Sequence, residues 1–159
     1  MDWRIVPFDI RYAAAAAKLE SMCFSAPWSR TLFEQESRNP LAVMHCALDA
    51  EEKLLGWAGF EHVLNEGSIT NVAVMPNRRR MGIGRALMRS LIEKARELSL
   101  ESLTLEVRAS NIAAIELYRQ MGFALAGIRP DYYDFPDEDA VMMRCVIGQK
   151  ERQDENTCN

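Results

Sequence analysis

Ligands for a metal are scarce in this sequence. The 159 residues hold two histidines, His45 and His62, and four widely scattered cysteines, Cys23, Cys46, Cys145 and Cys158. No Cys-x-x-Cys spacing occurs, so no zinc site is expected and no metal is assigned. Cysteines so far apart read as reduced thiols rather than a disulfide framework, which points to the cytoplasm. Long apolar runs are also missing. Nothing approaches the roughly 20 residues a membrane span needs, and no signal peptide follows Met1, so no membrane is expected. Positive charge is not in excess either. Nineteen Lys and Arg face 23 Asp and Glu, a net charge of −4, which argues against a general nucleic-acid binder. Internal repeats and composition breaks are absent, so residues 1–147 read as one domain and the polar residues 148–159 as a disordered tail.

What the sequence does have is a basic cluster set against that acidic background. Residues 71–88 open with Val72, Val74 and Met75 in an apolar stretch that suits a strand. Pro76 and Asn77 stop it. Arg78, Arg79 and Arg80 follow, then Gly82-Ile83-Gly84, then a helical pattern. Strand, basic glycine loop and helix start together make an anion cradle, because the first turn of a helix has free N–H groups and the positive end of its dipole. No Gly-Lys-Ser/Thr follows, which excludes the nucleoside-triphosphate loop, and a third glycine for a dinucleotide fingerprint is missing.

The flanking segments read as a mixed sheet with helices. Strands are expected over residues 3–8, 41–48, 53–64, 68–75, 102–107, 123–128 and 140–147. Asp9 is expected to cap a helix through the Ala13–Ala17 run, and Ser29 one over residues 30–38. The helix after Gly84 carries Ile83, Leu87, Leu91, Ala95 and Leu98 as its apolar stripe. Ser110 or Asn111 caps a further helix bearing Ile112, Ile115, Tyr118 and Met121, closed by Gly122. Residues 131–139 read as an acidic loop. In the 102–107 strand, Leu103, Leu105 and Val107 share one face, and Ser102, Thr104 and Glu106 lie on the other. Taken alone, Glu106 is an ordinary solvated strand residue and Tyr118 an aromatic on a helix stripe.

The pattern Arg79-x-x-Gly82-x-Gly84 resembles the pyrophosphate loop of the GNAT N-acetyltransferases. The run Leu105-Glu-Val-Arg-Ala-Ser-Asn-Ile-Ala-Ala-Ile-Glu-Leu-Tyr-Arg-Gln-Met-Gly-Phe123 is similar to the same region of the RimI-type enzymes of that family. So are Asp131-Tyr-Tyr, Glu138-Asp-Ala-Val-Met-Met143 and Cys23-Phe…Pro27-Trp-Ser29. The resemblance spans about residues 3–147. It implies the GNAT fold: a mixed, mostly antiparallel sheet with a splayed parallel pair and helices on both faces. It implies acetyl-coenzyme A (acetyl-CoA) as cosubstrate. Its pantetheine arm falls to the backbone of Val72, Ala73 and Val74. The pyrophosphate falls to Arg79, Arg80, Met81, Gly82, Ile83, Gly84 and Arg85, with further contacts from Asn111 and Tyr118. Glu106 matches the family's general base and Tyr118 its general acid, for direct acyl transfer in a ternary complex that uses no cysteine nucleophile.

The RimI-type resemblance implies an acceptor that is a protein N-terminus, the N-terminal alanine of a small-subunit ribosomal protein. Tyr132, Tyr133 and Trp28 match groove-lining positions, and Asp131 lies beside them where the family pattern has Asn. The acidic residues 131–139 can attract a basic ribosomal protein. No direct nucleic-acid contact is expected, and the reading favours a monomer. Two alternatives stay open: a small-molecule amine or lysine side chain as acceptor, and a non-enzymatic CoA-binding module.

Overall fold

The computed structural model describes residues 2–148; the expected disordered tail and Cys158 lie outside the described residues. Seven strands carry the fold: β1 (Trp3–Pro7), β2 (Ala42–Asp49), β3 (Leu54–Val63), β4 (Glu66–Val74), β5 (Ser102–Arg108), β6 (Ala124–Tyr133) and β7 (Glu138–Val146). Four helices accompany them: α1 (Ala13–Cys23), α2 (Arg30–Ser37), α3 (Ile83–Glu97) and α4 (Ile112–Gln120). The strand order is β1-β2-β3-β4-β5-β7-β6. Pairings β1–β2, β2–β3, β5–β7 and β6–β7 are antiparallel, and β4–β5 is parallel. The parallel register covers only Glu66–Ser102, Gly67–Leu103 and Ser68–Thr104, and β4 runs on for six residues beyond it. The described residues fall into two compact units, 2–61 with 70–91, and 62–69 with 92–148.

In the first unit, strand alternation sorts side chains onto two faces. Met44, Cys46, Leu48 and Trp57 pack with Ala13, Ala16 and Leu19 of α1 and Phe33 of α2. The alanines of α1 add little volume, and that lets the helix lie close to the sheet. On the other face, a Cβ placed on Gly56 would stand 2.9 Å from the Ala73 carbonyl oxygen and 3.3 Å from Leu87 of α3. Only glycine admits that approach. The expected α3 stripe is buried at Ile83, Leu87, Leu91 and Ala95, but Leu98 is exposed because the helix ends at Glu97. Ser29 caps α2 as expected, its Oγ accepting from Leu32 N at 3.1 Å. Asp9 instead caps a short 3-10 turn, Ile10–Tyr12, which leads into α1. The polar Arg11 and the N–H accepted by Asp9 tighten the chain before the alanines begin.

In the second unit, β5 buries Leu103, Leu105 and Val107 and leaves Thr104 and Glu106 half-buried, as its alternation requires. Asn111, not Ser110, caps α4, accepting from Ala114 N at 3.2 Å. Gly122 closes α4 at φ +100°, the left-handed conformation glycine supplies. The α4 stripe is shallower than its spacing suggests: Ile112 is exposed, and no residue of the helix is fully buried. The expected 131–139 loop is largely strand. β6 runs to Tyr133 and β7 starts at Glu138, so only residues 134–137 connect them. The sequence concealed this because Asp131 sits at a register shift. Its φ is +52°, and its N–H donates to Asp139 Oδ1 at 2.9 Å. An irregularity of this kind re-aims an edge strand without ending it.

Candidate active site

In the first unit, β4 leads through a 3-10 turn, Pro76–Arg78, into the arginine loop and α3. The first helical hydrogen bond runs from Ala86 N to Gly82 O at 3.0 Å, so Gly82 is the helix entry. It sits at φ +85°, and a Cβ there would meet nothing within 4 Å. Open space therefore lies over a helix start whose preceding N–H groups have no intrahelical acceptor. Arg80, also in the left-handed region at φ 65°, and Arg79 and Met81 are exposed; Gly84 and Arg85 are half-buried in the first turn of α3. Arg79 Nη2 lies 3.6 Å from Cys23 Sγ, and that thiol donates to the Val74 carbonyl at 3.5 Å. Of the pantetheine residues, Ala73 is buried, and Val72 and Val74 are half-buried.

Sequence reasoning passed over Glu20. It is fully buried in the first unit. Its Oε1 accepts from Trp28 N at 3.1 Å and Asn71 Nδ2 at 2.9 Å, and its Oε2 accepts from Trp57 Nε1 at 3.0 Å. Burial pushes its carboxyl up, and the three hydrogen bonds pull it back. Trp28 is half-buried, with its ring 5.2 Å from Phe33 and 5.1 Å from Trp57. The only local sequence signal was a glutamate on the face of α1 that also carries Ala13, Ala16 and Leu19.

In the second unit, Glu106 Oε1 pairs with Arg129 Nε at 3.4 Å, its side chain 26% exposed. Arg129 also lies over the ring of Tyr132, 5.9 Å from its centroid. The Tyr118 ring packs at a tilt of 58° to Phe123, with ring centroids 6.0 Å apart. Burial first, and then the neighbouring Tyr133, push its hydroxyl up to about 12. It therefore holds its proton across the physiological range. Tyr133 is also pushed up to about 12, by burial, Tyr132 and Glu106, against the opposing pull of Arg108. Arg108 covers the Tyr133 ring at 4.5 Å and donates to the carbonyls of Pro136 at 2.9 Å and Asp134 at 3.0 Å.

The acidic set divides. Glu138 is committed internally. It accepts from Ser110 N at 2.5 Å and pairs with Arg108 at 3.3 Å, and Ser110 above all holds its carboxyl below the ordinary range. Asp139 holds the Asp131 N–H. Asp131, Asp134, Asp137 and Tyr132 are exposed, and Tyr133 is half-buried.

Cys46 and Cys145 are poor nucleophiles. Cys46 is fully buried and pushed up to about 12 by burial and then by Asp9; burial raises Cys145 as well. Among the described residues no helix is long and apolar enough to cross a membrane.

The model of the acetyltransferase (GNAT) family matches residues 13–123. The ribosomal protein bS18-alanine N-acetyltransferase of Escherichia coli (strain K12) is 39% identical over 136 residues, covering 84% of this chain and 90% of that protein. The crystal structure of the ribosomal-protein-S18-alanine N-acetyltransferase from Escherichia coli superposes with a TM-score of 0.84 at 33% identity. It covers 91% of this chain and 94% of that one. The structure of a NatC complex bound to Gag peptide and CoA matches with a TM-score of 0.80 at 25% identity, over 92% of this chain and 99% of that one.

Proposed function

The chain belongs to the acetyltransferase (GNAT) family, and from that premise we propose that it acetylates the N-terminal alanine of a small-subunit ribosomal protein. The observation that carries this reading is the likeness, over most of both chains, to enzymes named for that reaction. The family match runs through both compact units, which supports a single catalytic domain over residues 1–147. Cytoplasmic location follows from an acceptor of that kind.

The residues at the start of α3 suit an anionic cosubstrate. Gly82 leaves space over the helix entry, and Arg79, Arg80 and Arg85 add charge near N–H groups that face outward. Met81, Ile83 and Gly84 complete that loop, and Val72, Ala73 and Val74 would hold the extended arm. Asn111, at the cap of α4, would add a contact. Acetyl-CoA, when bound, supplies the acetyl group as an activated thioester.

This chain's own residues would do the rest. A free α-amino group has a pKa of about 7.7–8.0, so much of it is protonated at neutral pH. Glu106, half-buried and held by Arg129, would take the amine's proton directly or through one water. Tyr118 keeps its hydroxyl proton because burial disfavours the phenolate, and would deliver it to the leaving thiolate. Tyr132, Asp131 and the exposed Asp134 and Asp137, with the half-buried Tyr133, would meet a basic acceptor.

The test is mass spectrometry of alanine-initiated basic peptides incubated with acetyl-CoA, beside lysine-containing peptides blocked at the N-terminus and free polyamines. A gain of one acetyl group at the α-amine is expected. Modification of only the lysine or polyamine acceptors would refute the acceptor assignment.

A further inference from the structure

Glu20 is a buried carboxylate whose three hydrogen-bond partners are all neutral donors: a backbone N–H, an indole N–H and a side-chain amide. An ionised carboxylate is acceptor-only and satisfies all three at once. A carboxamide of the same shape would turn its own N–H toward at least one of them. Charge buried in this way is expensive, and apolar residues of similar volume are often at least as stable. A further reason for a glutamate here lies in where the donors come from. Trp28 belongs to the α1–α2 loop, Trp57 to β3, and Asn71 to β4 immediately ahead of Val72. A second tether joins the same two regions. Cys23, at the end of α1, donates to the carbonyl of Val74. The two tethers bracket Val72–Val74, one at each end.

We propose that Glu20 is a positioning residue for acetyl transfer: it locks the α1–α2 loop to β4 across Trp28 and Asn71. It thereby sets where the acceptor amine arrives relative to Val72–Val74. The proposal rests on the acetyltransferase reading and adds a residue to it. The hydrogen bonds of Glu20 end on Trp28, Trp57 and Asn71, outside the arginine loop and the start of α3, so its loss should leave cosubstrate affinity alone and spoil the approach of the acceptor.

The experiment uses the full chain, an alanine-initiated basic peptide and acetyl-CoA, with Glu20→Gln and Asn71→Ala beside the wild type. An inactive wild type would overturn the acetyltransferase reading, and this proposal with it. Given an active wild type, Glu20→Gln is expected to lower kcat/KM for the peptide by about tenfold or more. Its calorimetric affinity for acetyl-CoA should stay unchanged. Asn71→Ala keeps two of the three donors, so it should show the same split to a smaller degree. If Glu20 merely supported the fold, thermal stability would fall while kcat/KM, referred to the folded fraction, stayed at the wild-type value. That result overturns the proposal. So does a loss of acetyl-CoA affinity equal to the loss in kcat/KM. If Glu20→Gln cannot be recovered folded, Asn71→Ala decides: wild-type peptide kinetics in that variant overturn the assignment.

Discussion

Glu20 and Glu106 are both glutamates in the middle of regular elements, and their surroundings are opposite. Glu20 is sealed from water and caged by three neutral donors. Glu106 is partly open, and its partner is the cation Arg129, itself half exposed. A carboxylate that must pick up and release a proton needs access to the group that gives it and a charge balance that tolerates both states. Glu106 has both. A carboxylate that must stay in place needs donors on every side and no exchange with water, and Glu20 has those. The same functional group is thus partly open beside a cation in one region and sealed among neutral donors in the other.

Substitutions that treat the two alike should give unlike results. The largest effect is expected at Glu106→Gln, which should lower kcat by about 10²–10⁴, the usual worth of a general base. Acetyl-CoA affinity and thermal midpoint should hardly change. Normal turnover would remove Glu106 from its role and with it the contrast. Glu20→Leu strands one buried and two part-buried donors and should cost about 3 kcal/mol in denaturant unfolding, where Glu106→Leu should cost little. Equal losses would break the comparison on the stability side.

Tyr118→Phe should lower kcat by about a hundredfold. It should also change the alkaline limb of stability. The folded pKa of Tyr118, about 12, lies above its ordinary value of 10.0. Its contribution is therefore fully present below pH 10 or so and is lost as pH rises through about 12. An unfolding series over that window should be flatter in the variant.

The smallest effect concerns a third carboxyl, Glu36 on α2, which burial and a hydrogen bond with Glu61 raise to about 7. Asn39 Nδ2 stands 3.1 Å from Glu36 and 3.5 Å from Glu61. Raised above its ordinary value of 4.5, it contributes stability below about pH 4.5 that disappears as pH rises through about 7. Glu36→Gln should remove that slope. The gain at pH 8 should stay below about 1 kcal/mol, because the pair is partly solvated. A slope that survives the substitution would assign it elsewhere.

Much of this molecule could be read along the chain. The strand–arginine loop–helix unit, the Ser29 and Asn111 caps, the alternation that puts Glu106 opposite Leu105, and Gly122 at the end of α4 are local. A turn residue, a cap or a period of two or 3.6 acts within a few positions. The likeness to a known family supplied roles that such patterns do not carry. The misreadings share one cause. Residues 131–139 look like a loop by composition, yet β6 runs to Tyr133 and β7 starts at Glu138, which pair with each other, and the Asp131 irregularity falls at the register shift before them. Leu98 and Ile112 fit their stripes by spacing, yet both stand exposed at a helix end.

The sequence by itself determined most of the elements, the Ser29 cap, the basic glycine loop and the identity of Glu106 and Tyr118 as candidates. The tertiary structure alone decided which glutamate is sealed from water and which stays partly exposed beside a cation. Glu20 meets donors 8, 37 and 51 positions away, and Glu106 meets a cation on another strand. Burial and hydrogen bonding are summed over everything that folding brings near a side chain, and no window of neighbouring residues contains that sum.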